Sequence, residues 1–213
     1  MTVPLSSALS PDESVPLDRR QRRWIEAHDR LYASACELFL EKDFLATSVD
    51  DIAERADVAR KTAFNHYPRK RDFIAEWGRR RRALVAAALS AELLAEPRIE
   101  AVLSYYFAEL AKISADQRPL TIRMLHGMRE SGGPFDADPH ALTAVFESFV
   151  AAAVRRGEIM ANVSPVHVAT VLYSSYFGLL YDWCEGTDAE APFELHDEFA
   201  RLVTMVLDGL HIR

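Results

Sequence analysis

Apolar residues recur along most of this chain at steps of three and four, the spacing that lines one face of an α-helix. Over residues 19–42 the series runs Trp24, Ile25, Leu31, Ala35, Leu38 and Phe39. A short helix is expected over residues 49–56, with Ile52, Ala53 and Ala56 on its inner face, and another over residues 60–67. Thr47, Ser48, Val49, Asp50 and Asp51 open the first of this pair. A hydroxyl residue with a carboxylate three positions on can satisfy the free N–H groups of a helix start. Pro68 ends the second, since proline donates no backbone hydrogen bond and disfavours helix in Tyr67 before it.

A longer helix is expected from Lys70 towards Leu94, with Pro97 as the next break. Five more follow over residues 98–114, 119–128, 139–156, 165–185 and 192–210, each at or just after a proline, a residue suited to the first helical turn. No segment alternates with period two and no internal repeat is visible. The pattern predicts an all-α chain of about nine helices. Residues 1–17, rich in Ser and Pro and without apolar periodicity, read as a flexible tail.

The 213 residues are 49% apolar with only eight glycines, enough for a sizeable core and far from a disordered or collagen-like composition. No run of eighteen apolar residues occurs, and the first twenty residues lack a charged segment followed by an apolar one, so neither a membrane span nor a secretory signal is expected. Cys36 and Cys184 lie far apart and form no metal or redox spacing, which predicts a reducing, cytoplasmic setting. No GxSxG, HExxH, P-loop or GxGxxG motif is present, and the seven histidines show no ligand spacing. No catalytic residue, metal or cofactor is expected.

Charge changes the picture more. The net charge is −7, yet residues 58–82 hold nine basic and two acidic side chains. Residues 83–213 hold nine basic against eighteen acidic. A concentrated basic patch on an acidic body suits a polyanionic partner, although a solvated charged face has the same composition.

The basic patch coincides with two short helices joined by a tight turn at Asp57-Val58, the helix-turn-helix plan. In the second helix, Ala63 and Tyr67 share one face and can pack on Ile52 and Ala56. Arg60, Lys61, Phe64 and Asn65 then point outward, beside Thr62. Arg and Lys meet guanine or phosphate, Asn meets adenine, and an apolar ring meets a thymine methyl. His66 and Lys70 fall where phosphates would pass, and Thr47 at a helix N-terminus could hold a phosphate oxygen. The expected DNA-binding set is therefore Thr47, Arg60, Lys61, Thr62, Phe64, Asn65, His66, Tyr67 and Lys70.

TSVDDIAERADVARKTAFNHYPRKRDFI resembles the DNA-binding domain of TetR-type transcriptional regulators, over about residues 30–77. The matching features are Thr47, the Ile52-Ala53 pair, Val58, the run Phe64-Asn65-His66-Tyr67, and Lys70. Farther on, RRGEIMANVSPVHVATVLYSSYFGLLYDW is compatible with the penultimate helix of that family and its lead-in. The chain departs from the pattern at Asp57 and Lys61, where glycine is common, at Ala59 for a serine cap, and at Phe64 for tyrosine. Asp tolerates the left-handed conformation better than most residues, so the turn should survive.

The resemblance implies a helix-turn-helix domain over residues 18–70 and a helical ligand-binding and dimerisation domain over residues 71–213. It implies a homodimer through the last two helices, bound to a roughly two-fold symmetric double-stranded DNA operator. Their apolar series are Val168, Val171, Leu172, Ser175, Leu179, Trp183 and Phe199, Leu202, Val203, Val206, Leu210. It also implies a pocket for a small-molecule effector, with Tyr106, Met124, His126, Phe146, Tyr173 and Phe177 as lining residues and Ser131–Pro139 as a mobile loop beside it. Met and aromatic side chains suit an apolar or aromatic effector. The function expected is that of a transcriptional regulator, a repressor released by its effector; the alternative is an architectural DNA-binding protein without a ligand. Arg19, Arg20, Arg22 and Arg23 read either as a basic arm on DNA or as a solvated helix start, and Arg79–Arg82 mostly as solvated surface with one or two salt bridges.

Overall fold

The computed structural model describes residues 18–88, 98–134 and 140–210. They form nine helices and no strand: α1 (Arg19–Lys42), α2 (Val49–Arg55), α3 (Arg60–His66), α4 (Arg71–Ala88), α5 (Ile99–Asp116), α6 (Arg118–Glu130), α7 (His140–Arg156), α8 (Pro165–Cys184) and α9 (Leu195–Leu210). The tail expected over residues 1–17, the last turns expected of the fourth helix and residues 135–139 of the expected Ser131–Pro139 loop lie outside the described residues. None of the described helices is long and apolar enough to cross a membrane. The chain divides into two compact units between Ala86 and Ala87.

In the first unit, Leu31, Ala35, Leu38 and Phe39 of α1 are buried together with Ile52 and Ala53 of α2, Ala63 of α3, and Phe73, Ile74 and Trp77 of α4. Each helix contributes one apolar stripe to a single core, which is why two helices of seven residues can persist. The apolar series of α1 does not all turn inward. Trp24 and Ile25 are exposed, and burial begins at Ala27. Cys36 is half-buried, and burial pushes its thiol up to about 11, where it is an unreactive neutral group.

The second unit packs α5 on α7 and α9, α8 on α7 and α9, and α6 on α5 and α8. Its interior is largely aromatic. Phe107 stacks on Phe146 at 5.2 Å and meets Phe199 edge-on at 5.2 Å. Tyr176 lies 4.9 Å from Phe177 and 5.4 Å from Phe199. Two expected helix starts shift slightly. Pro119 sits one residue inside α6, and α9 begins at Leu195, three residues past Pro192. Ser164 caps α8 with Pro165 at its first position, as the proline rule anticipates.

Candidate nucleic-acid interface

The turn between α2 and α3 is built by two backbone bonds. Val58 N–H donates to Ala53 O at 3.0 Å and Asp57 N–H to Glu54 O at 3.1 Å. This is a Schellman stop, and it needs a left-handed residue at Asp57, whose φ is 51°. Asp57 thus occupies a position that favours glycine. Ser48, rather than Thr47, caps α2. Its hydroxyl accepts from Asp51 N–H at 3.0 Å, and the Asp51 carboxylate accepts from Ser48 N–H at 2.9 Å. Thr47 is buried, and its hydroxyl donates to Asp43 O at 2.8 Å. The expectation of Thr47 as an outward phosphate holder is corrected: a β-branched hydroxyl one position before the cap turns inward and ties down the preceding loop.

At the start of α3, Ala59 makes no side-chain cap. Its extended backbone already suits the role, so Ala59→Ser should stabilise the first unit by about 0.5–1 kcal/mol. Chemical denaturation of the two proteins checks this, and an unchanged or lower midpoint would refute it.

Ala63 is fully buried, and Arg60, Lys61, Phe64 and Asn65 lie on the outer side of α3, with Thr62 half-buried at its edge. Phe64 remains 37% exposed. Arg60 pairs with Asp50 at 2.7 Å and lies 5.7 Å from the centre of the Phe64 ring. That ion pair is exposed, so exchanging Asp50 for another anion costs under about 1 kcal/mol. The outer face combines two cations, an amide and an apolar ring. It can meet base edges and phosphates in one groove.

The end of α3 is different from expectation. Tyr67 is buried, stacked 3.9 Å from Phe73, with its hydroxyl 2.8 Å from His28 Nε2. Of its two expected places, inward beside Ala63 and on DNA, Tyr67 takes the first and supports the helix end; its place in the DNA-binding set is corrected. Its inward side follows from its place four residues after Ala63. His66 is half-buried against the Trp24 ring at 4.6 Å. Burial, and then the nearby His28, lower the pKa of His66; burial also lowers that of His28 despite the Glu76 carboxylate 3.5 Å away. Trp24 and His28 thus belong to the same assembly. Stacking between rings 38 and more positions apart leaves no local signal in the sequence.

Beneath this stack lies an ionic network. Glu76 is buried and accepts from Arg79 Nε at 2.6 Å and Arg80 Nε at 2.7 Å. Burial alone would raise its pKa, but the two guanidiniums pull it down to about 2. Arg80 also pairs with Asp29 and covers the Tyr32 ring, while Arg81 is buried over Trp77. The arginine run expected mostly as solvated surface is divided: Arg79 is exposed but ion-paired, Arg80 is half-buried in the network, and Arg81 is buried. By contrast Arg19, Arg20, Arg22 and Arg23 lie in the exposed first turns of α1, behind an Asp18–Gln21 capping box.

Lys70, expected on phosphate, donates instead to three backbone carbonyls, those of Phe44 at 2.6 Å, Thr47 at 2.9 Å and Leu45 at 3.2 Å.

Residues 31–77 match the model of the bacterial regulatory proteins of the tetR family. Over these residues the chain is similar to the DNA-binding domain of that family. The described residues have a TetR-like fold, as similarity to solved structures shows. A TetR-family transcriptional repressor from Thermus thermophilus, FadR in complex with lauroyl-CoA, aligns over 87% of this chain and 96% of its own, at 24% identity and a TM-score of 0.68. FadR from Bacillus subtilis with stearoyl-CoA aligns over 86% and 100%, at 14% identity and a TM-score of 0.62. A TetR-family regulator from Pseudomonas syringae pv. tomato aligns over 92% and 100%, at 20% identity and a TM-score of 0.57. No curated protein matches the chain in sequence.

The residues expected around an effector divide into two groups. Tyr106, Met124, Phe146, Tyr173 and Phe177 are buried in the second unit. His126 is exposed on α6 and does not join them, a correction to the expected lining: Ile122, Met124 and Leu125 take the inner face of the helix and His126 falls outside it. The Tyr173 hydroxyl donates to Pro134 O at 2.6 Å, which ties the start of the Ser131–Pro139 loop to α8. The last two helices also read differently. Val168, Leu172, Trp183, Phe199, Leu202 and Val203 fill the unit's own core. Fully outward are Val166 and Val171 on α8 and Met205 with Ala200 and Thr204 on α9, while Ser175, Leu179, Val206 and Leu210 of the expected series are half-buried.

Proposed function

We propose that this TetR-family transcriptional regulator is a homodimeric repressor that reads a two-fold operator through the outer face of α3 and is released by a small apolar or aromatic effector. The observation that carries the reading is the composition of that face: Arg60, Lys61, Phe64 and Asn65 exposed together around a buried Ala63. A single helix-turn-helix makes few base contacts, and such modules act in pairs on half-sites one helical turn apart. The exposed Val171 and Met205 on the last two helices supply the apolar surface for pairing with a second copy. Thr62 and His66 flank the reading face and would meet sugar or phosphate. The buried aromatic interior of the second unit supports an effector with an acyl or aromatic body, and acyl-CoA thioesters are the first compounds to try, given the two FadR neighbours.

The test is selection of bound duplexes from random DNA, followed by titration of acyl-CoA thioesters and aromatic acids against the selected complex. An inverted repeat with half-sites about 10 base pairs apart, released by one ligand class, is the expected result. Duplexes enriched without any symmetry would sink the dimeric reading. Release by none of the ligands would favour the architectural alternative. Within the selected site, Asn65→Ala should lose about 1–3 kcal/mol and relax preference at one base pair. Competition assays with single-base variants measure this, and an unchanged preference at every position would remove Asn65 from base reading.

A further inference from the structure

The Lys70 side chain leaves the first turn region of α4 and crosses to the loop between α1 and α2. That loop begins where α1 ends at Asp43, whose φ of 74° swings the chain sharply aside. The carbonyls of Phe44, Leu45 and Thr47 then converge, and the ammonium sits among them at 2.6, 3.2 and 2.9 Å. An ammonium has three N–H donors, and all three are used. The same nitrogen lies 4.5 Å from the centre of the Phe44 ring, a cation–π distance. It also stands near the C-terminal end of α1, where helix carbonyls favour a positive charge. Burial lowers the pKa of the amine, as expected of a head drawn out of water.

We infer that Lys70 is a positioning residue for DNA reading: it clamps the α1–α2 loop to the start of α4 instead of contacting a phosphate. This rests on the DNA-binding reading above. The clamped loop ends in Thr47 and Ser48, and Ser48 caps α2. Helix α2 in turn sets α3 through the Ala53–Val58 and Glu54–Asp57 bonds. Three carbonyls held at one point thus fix where α2 begins, and through it the angle at which Arg60 and Asn65 are presented. A loosened clamp costs aimed base contacts first. Undirected phosphate contacts from other cations survive a small misalignment.

The experiment compares wild type, Lys70→Met and Lys70→Arg on the duplex that the wild type selects and on a scrambled duplex, across a salt series and below the melting temperature of each protein. Lys70→Met should weaken selected-duplex binding about tenfold or more, leave scrambled binding within about twofold, and leave the salt slope unchanged. Lys70→Arg keeps the charge and folds, but a planar fork cannot converge on three carbonyls as an ammonium does, so discrimination should recover only part-way. A phosphate contact predicts otherwise. Both duplexes would weaken equally with Lys70→Met, the slope would fall by about 0.9, and Lys70→Arg would behave as wild type. That pattern overturns the inference, as does a lowered melting temperature with affinity and discrimination intact. A wild type that retains no duplex at all would instead overturn the DNA-binding reading on which the inference stands.

Discussion

Phe146→Ala should lower the unfolding free energy of the second unit by about 3–5 kcal/mol, the range for removing a fully enclosed aromatic side chain. Phe146 has no exposed surface, stacks on Phe107 at 5.2 Å with an interplanar angle of 4°, and meets Tyr106 edge-on at 5.7 Å. Each ring pair adds about 0.5–1.5 kcal/mol beyond burial. The loss should register as a lower midpoint in chemical denaturation followed by tryptophan fluorescence, since Trp183 lies in the same unit. A loss below about 1 kcal/mol would mean that the ring faces empty space rather than neighbours. The point bears on function. A charge at Phe146 or at the equally buried Met124 would unfold the unit before it could silence an effector site. Phe177→Leu, at a residue that keeps slight exposure, trims the ring without introducing a charge and is the better probe of ligand selectivity.

The order and number of helices were legible because their evidence is local. Apolar spacing, the Ser48–Asp51 cap and Pro68 each act within one turn of the chain. The outward side of α3 was legible for the same reason: once Ala63 is taken inward, a period of 3.6 places Arg60, Phe64 and Asn65 outward. Tyr67 fell on the inward side of that same count, four residues after Ala63, and the structure places it there.

What the sequence hid is long-range. Lys70 reaches back to Phe44, His28 meets Tyr67, and Arg80 crosses to Asp29, each pair separated by more than twenty positions. Cations in a basic run read as solvent-facing unless their acceptors are known, and backbone carbonyls carry no sequence label. Helices apolar on several sides hide another distinction. In α8 the series Val168, Leu172 and Trp183 faces the core while Val171 faces out, and spacing alone gives both stripes the same weight.

The last expected result concerns Arg118, whose loss should both weaken the second unit and disturb the presentation of its last two helices. Arg118 opens α6 and is buried. Its guanidinium donates to three carbonyls around the end of α8: Trp183 O at 3.0 Å, Thr187 O at 2.9 Å and Glu190 O at 3.0 Å. It also lies 4.1 Å from the centre of the Trp183 ring. The fit is tight, because a Cβ at Gly186 would come within 2.8 Å of this guanidinium and 2.2 Å of Glu190 O. Bonds from a charged donor contribute about 1.5–3 kcal/mol each, offset by the expense of burying the cation. Arg118→Met should therefore lose about 3 kcal/mol, and the carbonyls it abandons should loosen the residues that lead from α8 into α9. Arg118→Lys restores the charge but cannot hold three acceptors spread around a planar fork, so it should recover less than half. Denaturation gives the stability, and sedimentation reports whether the proposed pairing through Val171 and Met205 weakens in step. An Arg118→Lys protein as stable as wild type would show that charge alone suffices, and the fork geometry would lose its role.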